Sequence, residues 1–410
     1  MHPLAVVRPV DAADVARVVR WAASSRVPIV ARSGGHSYGG YSTTRGVVVD
    51  LAHLSAVGVS GTRGVVGAGA RLGLVYTGLA AHGLAIPAGT CPSVGIGGHA
   101  LGGGFGLASR AWGLASDNVL AAQVVTADGR VRSVDASHDA DLYWACRGGG
   151  GGNFGIATRF VFRTHRVSSG SYFVATYPWA HVEEALAGFL AWAPSTSDAV
   201  GSICRLAAGG APTVQIFGQF LGPRNELQSL LASLRPAAAK LTIGTASWLD
   251  LVRRWAGCLG HSLPGCSAVS PLAFVGSSSY LARVPSHSHL ALFREAIEER
   301  GAQSGALLID AYGGAVNRVA PAATAFPHRR ALASVQYFAV GGASARAWVT
   351  RARSQLAPAT TGEAYVNYID PALHNPLPAY YGANLARLEH VKRRYDPHDL
   401  FHFAQGVPPH

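Results

Sequence analysis

The spacing of apolar residues divides the chain into three textures. Val15, Val18, Val19 and Ala22 recur at helical spacing behind Asp11, whose short side chain suits an N-cap, with Asp14 three residues on, so a helix is predicted from Asp11. A short strand over 28–31 follows. The turn Arg32-Ser33-Gly34-Gly35-His36-Ser37 then leads into a second strand over 46–50. From there to about Val167 short β-branched runs alternate with glycine turns, and Ala127-Asp128-Gly129-Arg130 reads as a hairpin. Beyond Ser168 the period lengthens: residues 181–193 and 225–234 read as amphipathic helices, and 213–220 as a strand. Near Gly362 the pattern changes again. A strand is predicted over 364–369 and a helix over 384–394, with Leu385, Leu388 and Val391 on one side and Pro397 beyond its end. No tandem repeat interrupts this order.

These textures give an α+β chain in three segments, 1–167, 168–361 and 362–410, and a length of 410 residues that fits two domains. With 49% apolar and 14% charged residues there is ample material for a buried interior. The net charge of +12 comes from scattered arginines rather than runs interleaved with aromatics, which reads as a solvated basic surface and not as a nucleic-acid groove. The distribution of acids is more informative. From Leu51 to Ser116 there is no Asp or Glu, while the same 66 residues hold seventeen glycines and Arg63, Arg71 and Arg110. Backbone N–H groups approach phosphates closely where side chains are missing and no carboxylate repels them, so this stretch suits an anionic cofactor.

Five cysteines without short paired spacings argue against a disulfide framework and against zinc. Cys258 and Cys266 are close enough in sequence to pair, and Cys146 and Cys204 read as buried small apolar residues. His287 and His289 share a face if extended, but nothing at metal-ligand spacing completes a site, and a surface loop is the simpler expectation; no metal is predicted.

Gly67-Ala68-Gly69-Ala70-Arg71-Leu72-Gly73 follows Val65-Val66 in the manner of a dinucleotide fold, but its last glycine is one residue late and the ribose-binding acid would fall in the acid-free zone. It reads instead as a strand-to-turn glycine cluster. Three other glycine loops, 32–37, 89–106 and 148–155, each hold isolated functional residues between apolar runs; the first exposes consecutive N–H groups beside the imidazole of His36.

Four blocks carry a family resemblance: Arg32 to Ser37; Gly89-Thr90-Cys91-Pro92-Ser93-Val94-Gly95-Ile96-Gly97-Gly98-His99; Gly148 to Ile156; and Tyr365-Val366-Asn367-Tyr368 with Tyr380-Tyr381-Gly382-Ala383-Asn384. In order and over almost the whole chain, the sequence resembles the berberine-bridge-enzyme-like oxidases of the vanillyl-alcohol-oxidase and para-cresol-methylhydroxylase superfamily. The resemblance implies a two-part FAD-binding domain, formed by 1–167 and 362–410, and a substrate domain over 168–361 with an antiparallel sheet flanked by helices. It implies FAD bonded through His36 to the flavin 8α carbon and through Cys91 to ring carbon C6. A thiolate and a neutral imidazole are the side chains suited to such attack. Further cofactor contacts are implied at Arg32, Ser33, Gly34, Gly35 and Ser37, at Val94, Gly95, Gly97, Gly98 and His99, at Asp117, Asn118 and Ile156, and at Tyr365 and Asn367.

For catalysis the resemblance points to Tyr368 as the base that takes a substrate O–H proton, with Gln336 near the flavin. A phenol titrates near 10, so a base at neutral pH requires a depressed pKa, and strand alternation would set Tyr368 opposite Tyr365 and Asn367. The position two before Gln336, often lysine in plant members, is Ser334. Val94 stands where valine accompanies ready reaction with oxygen in the family. The expected reaction is oxidation of an alcohol of a sugar or glycosylated secondary metabolite, with O2 as acceptor and H2O2 as product. Oxidative cyclisation, a dehydrogenase using another acceptor, and a flavin-carrying binding protein are the alternatives. The expected partners are a small-molecule substrate and O2, without nucleic acid or membrane. Neither a membrane-length apolar run nor a signal core is read, which favours the cytoplasm, with secretion open if a segment precedes Met1.

Overall fold

The computed structural model describes residues 2–266 and 272–409. The first helix, Ala12–Ser25, starts where the Asp11 carboxylate accepts from the backbone N–H of Asp14 at 2.7 Å. It ends where Arg26 turns left-handed, and it buries Val15, Ala16, Val19 and Ala22. Beneath it β1 (Ala5–Val7), β2 (Ile29–Arg32) and β3 (Val47–Asp50) form a parallel sheet in the order β1-β3-β2. The next strands are β4 (Val57–Ser60), β5 (Arg63–Gly67), the two-residue β6 (Leu84–Ala85), β7 (Val119–Val125), β8 (Val131–Asp135), β9 (Ile156–Arg163) and the two-residue β10 (His165–Arg166). Five of them make an antiparallel sheet in the order β4-β5-β9-β7-β8, and β6 pairs with β10. The β7–β8 turn is the hairpin read from Asp128-Gly129, closed by Gly129 at φ 71°.

The middle segment supplies β11 (Ser169–Tyr177), β12 (Val200–Ala208), β13 (Thr213–Phe220), β14 (Lys240–Ser247), β15 (Phe274–Leu281), β16 (Gly305–Ala311) and β17 (Ala333–Val340). They form one antiparallel sheet in the order β14-β11-β13-β12-β16-β17-β15. Alternation assigns its faces. Phe173, Cys204, Leu206, Ile216, Leu307, Ile309, Val335 and Tyr337 point to a core closed by the helices Val182–Ser195, His287–Arg300 and Ala343–Gln355, and the residues between them point to the glycine-loop half. The second core, that of the glycine-loop half, runs from Val15 through Phe162 and takes in Ile369, Leu388 and Val407, so the C-terminal segment returns to the first. The helix Trp248–Trp255 also joins this core through Trp248, Leu251 and Val252, although it lies within the middle segment.

The returning segment is tied to the third glycine loop. Lys392 Nζ, fully buried, donates to the carbonyls of Asn153 at 3.0 Å and Phe401 at 2.7 Å and pairs with Asp396 at 2.7 Å. Asn153 Oδ1 in turn accepts from Val407 N–H at 2.9 Å. The helix Leu385–Tyr395 buries Leu388 and Val391 as its spacing requires.

Two expectations are corrected, and the cysteine pairing left open is decided. Residues 364–369 do not form a strand; Val366–Tyr368 is a single 3-10 turn, because the side chains of Tyr365 and Asn367 both turn back to hydrogen-bond the second glycine loop and no strand lies alongside. His287 and His289 open the helix His287–Arg300, capped by Ser286, and neither lies in a strand or loop. Cys258 and Cys266 are joined in a disulfide with Cα atoms 6.0 Å apart, while Cys146 and Cys204 are buried free thiols.

Candidate active site

The three glycine loops meet at backbone distance. A Cβ on Gly34 would lie 2.2 Å from Gly95 N, and one on Gly95 would lie 2.1 Å from Gly34 N, so both positions require glycine. Behind them the 67–72 segment braces the second loop: Ile96 N–H donates to Ala70 O at 2.9 Å, Gly97 N–H to Ala68 O at 3.1 Å, and Leu72 N–H to Val94 O at 2.8 Å. Ser33 Oγ donates to the same Ala68 carbonyl at 2.6 Å. The third loop joins where Gly148 and Gly150 N–H both donate to Leu101 O, and a Cβ on Gly151 would come within 3.4 Å of Gly98 Cα.

This packing leaves one set of donors unused. Among the described residues no acceptor takes the backbone N–H of Gly34, Gly35, His36 or Ser37, and Gly35 sits at φ +74°. Consecutive N–H groups converging around a left-handed glycine form an anion nest, the chemistry a diphosphate needs. The residues present therefore fit FAD: a nest for its phosphates, an acid-free stretch over 51–116 that supplies the second loop, and two nucleophilic side chains, His36 and Cys91.

Those side chains are His36 and Cys91. His36 Nε2 lies 2.9 Å from Ser93 Oγ, which brings the first loop onto the turn that starts with Cys91. Burial and then the positive charge of Arg71 hold the His36 pKa below the usual imidazole value, so the ring is neutral at pH 7 with a lone pair available. The Cys91 thiol is exposed at the surface of the cleft, yet the protein mass around it pushes its pKa up, against a hydrogen bond from Thr90. Its thiolate is a minor form until a base or a bound group withdraws the proton.

Other residues expected at the cofactor have structural partners too. His99 is held neutral by burial, its pKa pushed down to about 4, and its Nε2 accepts from Gly89 N–H at 3.0 Å. Asn367 Nδ2 donates to His99 O at 3.0 Å and to Tyr365 Oη at 2.9 Å, and Tyr365 Oη also accepts from Gly104 N–H at 2.7 Å. Gly102 must be glycine because a Cβ there would lie 2.0 Å from Asn367 Oδ1. Asp117 is engaged by Arg329 through two bonds of 2.6 and 2.8 Å, across the seam between the two halves, while Asn118 donates to the carbonyls of Trp112 and Leu114. Ile156 is buried at the start of β9, following Gly155.

Above the loops, the open face of the large sheet presents Gln336, Asp310 and Ser334. Gln336 Nε2 donates to Tyr38 Oη at 2.7 Å, and the Tyr38 ring stacks on Tyr368 with centroids 5.3 Å apart and planes 15° apart. Tyr368 also meets Tyr365 edge-on at 5.1 Å; the 3-10 turn has brought to one side the two rings that strand alternation would have separated. The depressed phenol pKa required of Tyr368 is not found. Burial, followed by the negative charge of Asp310, raises it well above 10.

Asp310 and Tyr38 complete the group and were not picked out from the sequence. Asp310 is buried, accepts from Ser334 Oγ at 3.2 Å, and burial pushes its pKa up to about 7. Its signal was a lone acid inside the apolar run Ala306 to Ala311; that of Tyr38 was its place two residues after His36.

The comparisons with known proteins agree with this geometry. A model of the FAD binding domain matches residues 3–135, and a model described as berberine and berberine like matches 364–408, the two segments that share one core. The FAD-linked oxidoreductase YgaK of Bacillus subtilis is 34% identical, over 97% of this chain and 89% of that protein. The chain belongs to the berberine-bridge-enzyme-like family of FAD-linked oxidoreductases. Two solved structures share the fold over nearly its whole length. BBE-like 1 of Physcomitrella patens superposes with a TM-score of 0.91 at 32% identity, covering 98% of this chain and 91% of that one. The xylooligosaccharide oxidase of Myceliophthora thermophila, solved with xylobiose, gives 0.89 at 28% identity, covering 99% and 91%. The protein is thus an FAD-linked oxidoreductase of the α+β fold that the resemblance implied. None of its helices is long and apolar enough to cross a membrane, among the described residues.

Proposed function

We propose that this oxidoreductase oxidises a C–OH group of a sugar or glycosylated small molecule, with FAD bonded through His36 and Cys91 and with O2 reduced to H2O2. The observation that carries the reading is the stacking of Tyr368 on Tyr38, whose hydroxyl takes the Gln336 amide, with Asp310 on the same sheet face two residues beyond the strand partner of Gln336. Bound FAD supplies the acceptor for the hydride. Residues 1–167 and 362–410 form the part that holds it, and 168–361 roof the substrate.

The protein's own residues move the proton. Tyr368 is un-ionised at neutral pH, so it can accept a substrate proton only as its own proton departs. The nearby anion that raises its pKa, Asp310, is also the group able to receive that proton, because at about 7 it is half-ionised under physiological conditions. Asp310 is then the base, Tyr368 its relay, and Gln336 with Tyr38 fixes the substrate's orientation. His36 and Cys91 would each hold bound FAD by one covalent bond, and forming each would be a two-electron oxidation in which two protons and two electrons leave to dioxygen. Valine at position 94, beside Cys91, is consistent with access of oxygen to the ring.

Acid precipitation of the purified protein tests the attachment: yellow colour stays with the pellet, His36→Ala and Cys91→Ala each keep one bond, and only the double variant releases FAD. Free FAD from the unaltered protein overturns it. Flavin bleaching by a panel of mono- and disaccharides under anaerobic conditions, with peroxide measured on readmission of air, tests the reaction.

A further inference from the structure

The open face of the large sheet continues well past Asp310, and its side chains follow from the register. Asp310 pairs with Ile203 on β12, which pairs with Phe217 on β13. The next row on the same face runs Gln336, Leu308, Arg205, Gln215. Arg205 alternates with Cys204 and Leu206, which lie in the helix-side core, so its guanidinium is on the cleft side. It is exposed and takes no hydrogen bond or ion pair among the described residues. Strands about 4.8 Å apart put it roughly 10 Å from Gln336 across the sheet, the span of about two sugar rings from the reacting group.

Aromatic walls flank this cation. On one side Tyr38 meets Phe274 edge-on at 4.7 Å, and Phe274 meets Phe338 at 5.1 Å. On the other, Phe217 stacks on Trp255 at 5.4 Å, with Trp255 Nε1 anchored to Gln219 Oε1 at 3.0 Å. β17 and β13 are three strands apart, so the walls stand about 14 Å from each other across the sheet. Asp310 is the only acid in the seven strands, and it is buried and held by Ser334, so Arg205 has no carboxylate partner in the sheet.

We infer that Arg205 is a specificity residue for an elongated acidic substrate: an oligosaccharide whose reacting ring sits at Asp310 and Tyr368 and whose next unit carries a carboxylate. This rests on the alcohol-oxidase reading and deepens it. The aromatic walls take the apolar faces of the rings, and the guanidinium takes the anion in a fork.

A matched pair of disaccharides tests it with the holoenzyme: cellobiose, and the same disaccharide with a glucuronosyl unit at its non-reducing end. The acidic one is preferred about ten-fold or more in kcat/KM, through KM, because a hydrogen-bonded charge is worth at least that factor. In R205Q the preference collapses below about two-fold, in R205K part of it survives, and added salt erodes it in the unaltered enzyme. Equal use of the two sugars, or an equal loss for both in R205Q, overturns the inference and leaves the oxidase reading standing. If neither bleaches the flavin, the oxidase reading fails for these sugars, and equilibrium binding of each disaccharide, measured by calorimetry, decides separately. Binding of the acidic disaccharide that is lost in R205Q upholds the anion site, and no binding overturns it.

Discussion

The two halves of the molecule build their parts of the site by opposite means. In the glycine-loop half the surface proposed for the cofactor is mostly backbone: Gly34 against Gly95, Gly151 against Gly98, and four N–H groups from Gly34 to Ser37 that take no acceptor among the described residues, with His36 and Cys91 as its reactive side chains. In the sheet half the surface proposed for the substrate is side chains alone: Asp310, Ser334, Gln336 and Arg205 project from a regular ladder that would accept many residues in their place. A cofactor common to a family can be met by fixed backbone, whereas a substrate is chosen by whichever side chains alternate onto the open face.

The sharpest way to break this comparison is Gly95→Ala. The added methyl would press on the backbone N of Gly34, which cannot yield, and on the Ser33 side chain that is bonded to Ala68, so we expect no FAD-loaded protein, read as loss of the flavin absorbance per chain. Full loading would show that the loops are not backbone-limited.

On the sheet side the same loading test should be silent while the chemistry fails. Asp310→Asn is expected to keep its flavin and lose about a hundred- to ten-thousand-fold in the rate of flavin reduction. The pH dependence has a definite sign. Burial raises the folded pKa of Asp310 to about 7, so activity rises with pH through about 7 as the base ionises. Stability moves the other way: the contribution is fully present below the unfolded carboxylate pKa and is lost as pH rises through about 7. Asp310→Asn removes both trends, and a rate profile that keeps its limb near 7 would assign the base elsewhere.

The seam gives a smaller effect. Arg329 is wholly buried and its two bonds to Asp117 cross between the halves. Arg329→Met strands the Asp117 carboxylate, and about 3–5 kcal/mol of unfolding free energy should go, measured by denaturant titration of the holoenzyme. Least of all, Tyr38→Phe removes the acceptor of Gln336 but keeps the stacked ring, so a few-fold rise in KM is expected with flavin loading unchanged.

The same contrast explains what could be read before any coordinates. The helix behind Asp11, the hairpin at Asp128-Gly129 and the strand Thr213–Phe220 are local: a cap, a turn residue and an alternating run suffice. The close approach of the glycine loops was legible for a related reason, since backbone contact demands glycine at fixed positions such as Gly34 and Gly95. The segment after Ala364 was misread because its β-branched and aromatic pattern suits a strand. It lacks a neighbouring strand, and two long-range hydrogen bonds, Tyr365 to Gly104 and Asn367 to His99, bend it into a 3-10 turn. The buried acid Asp310, which we propose as the base, was missed because a carboxylate in an apolar run shows only that something unusual is buried there.

The sequence by itself determined the family and with it the use of FAD, because the motifs that carry the resemblance stand in order along almost the whole chain. Only the tertiary structure decided which tyrosine faces which acid, and that Arg205, 131 positions before Gln336, lies two strands from it. Strand order and register are set by the packing of distant segments, and no local pattern encodes the side-chain neighbours that result.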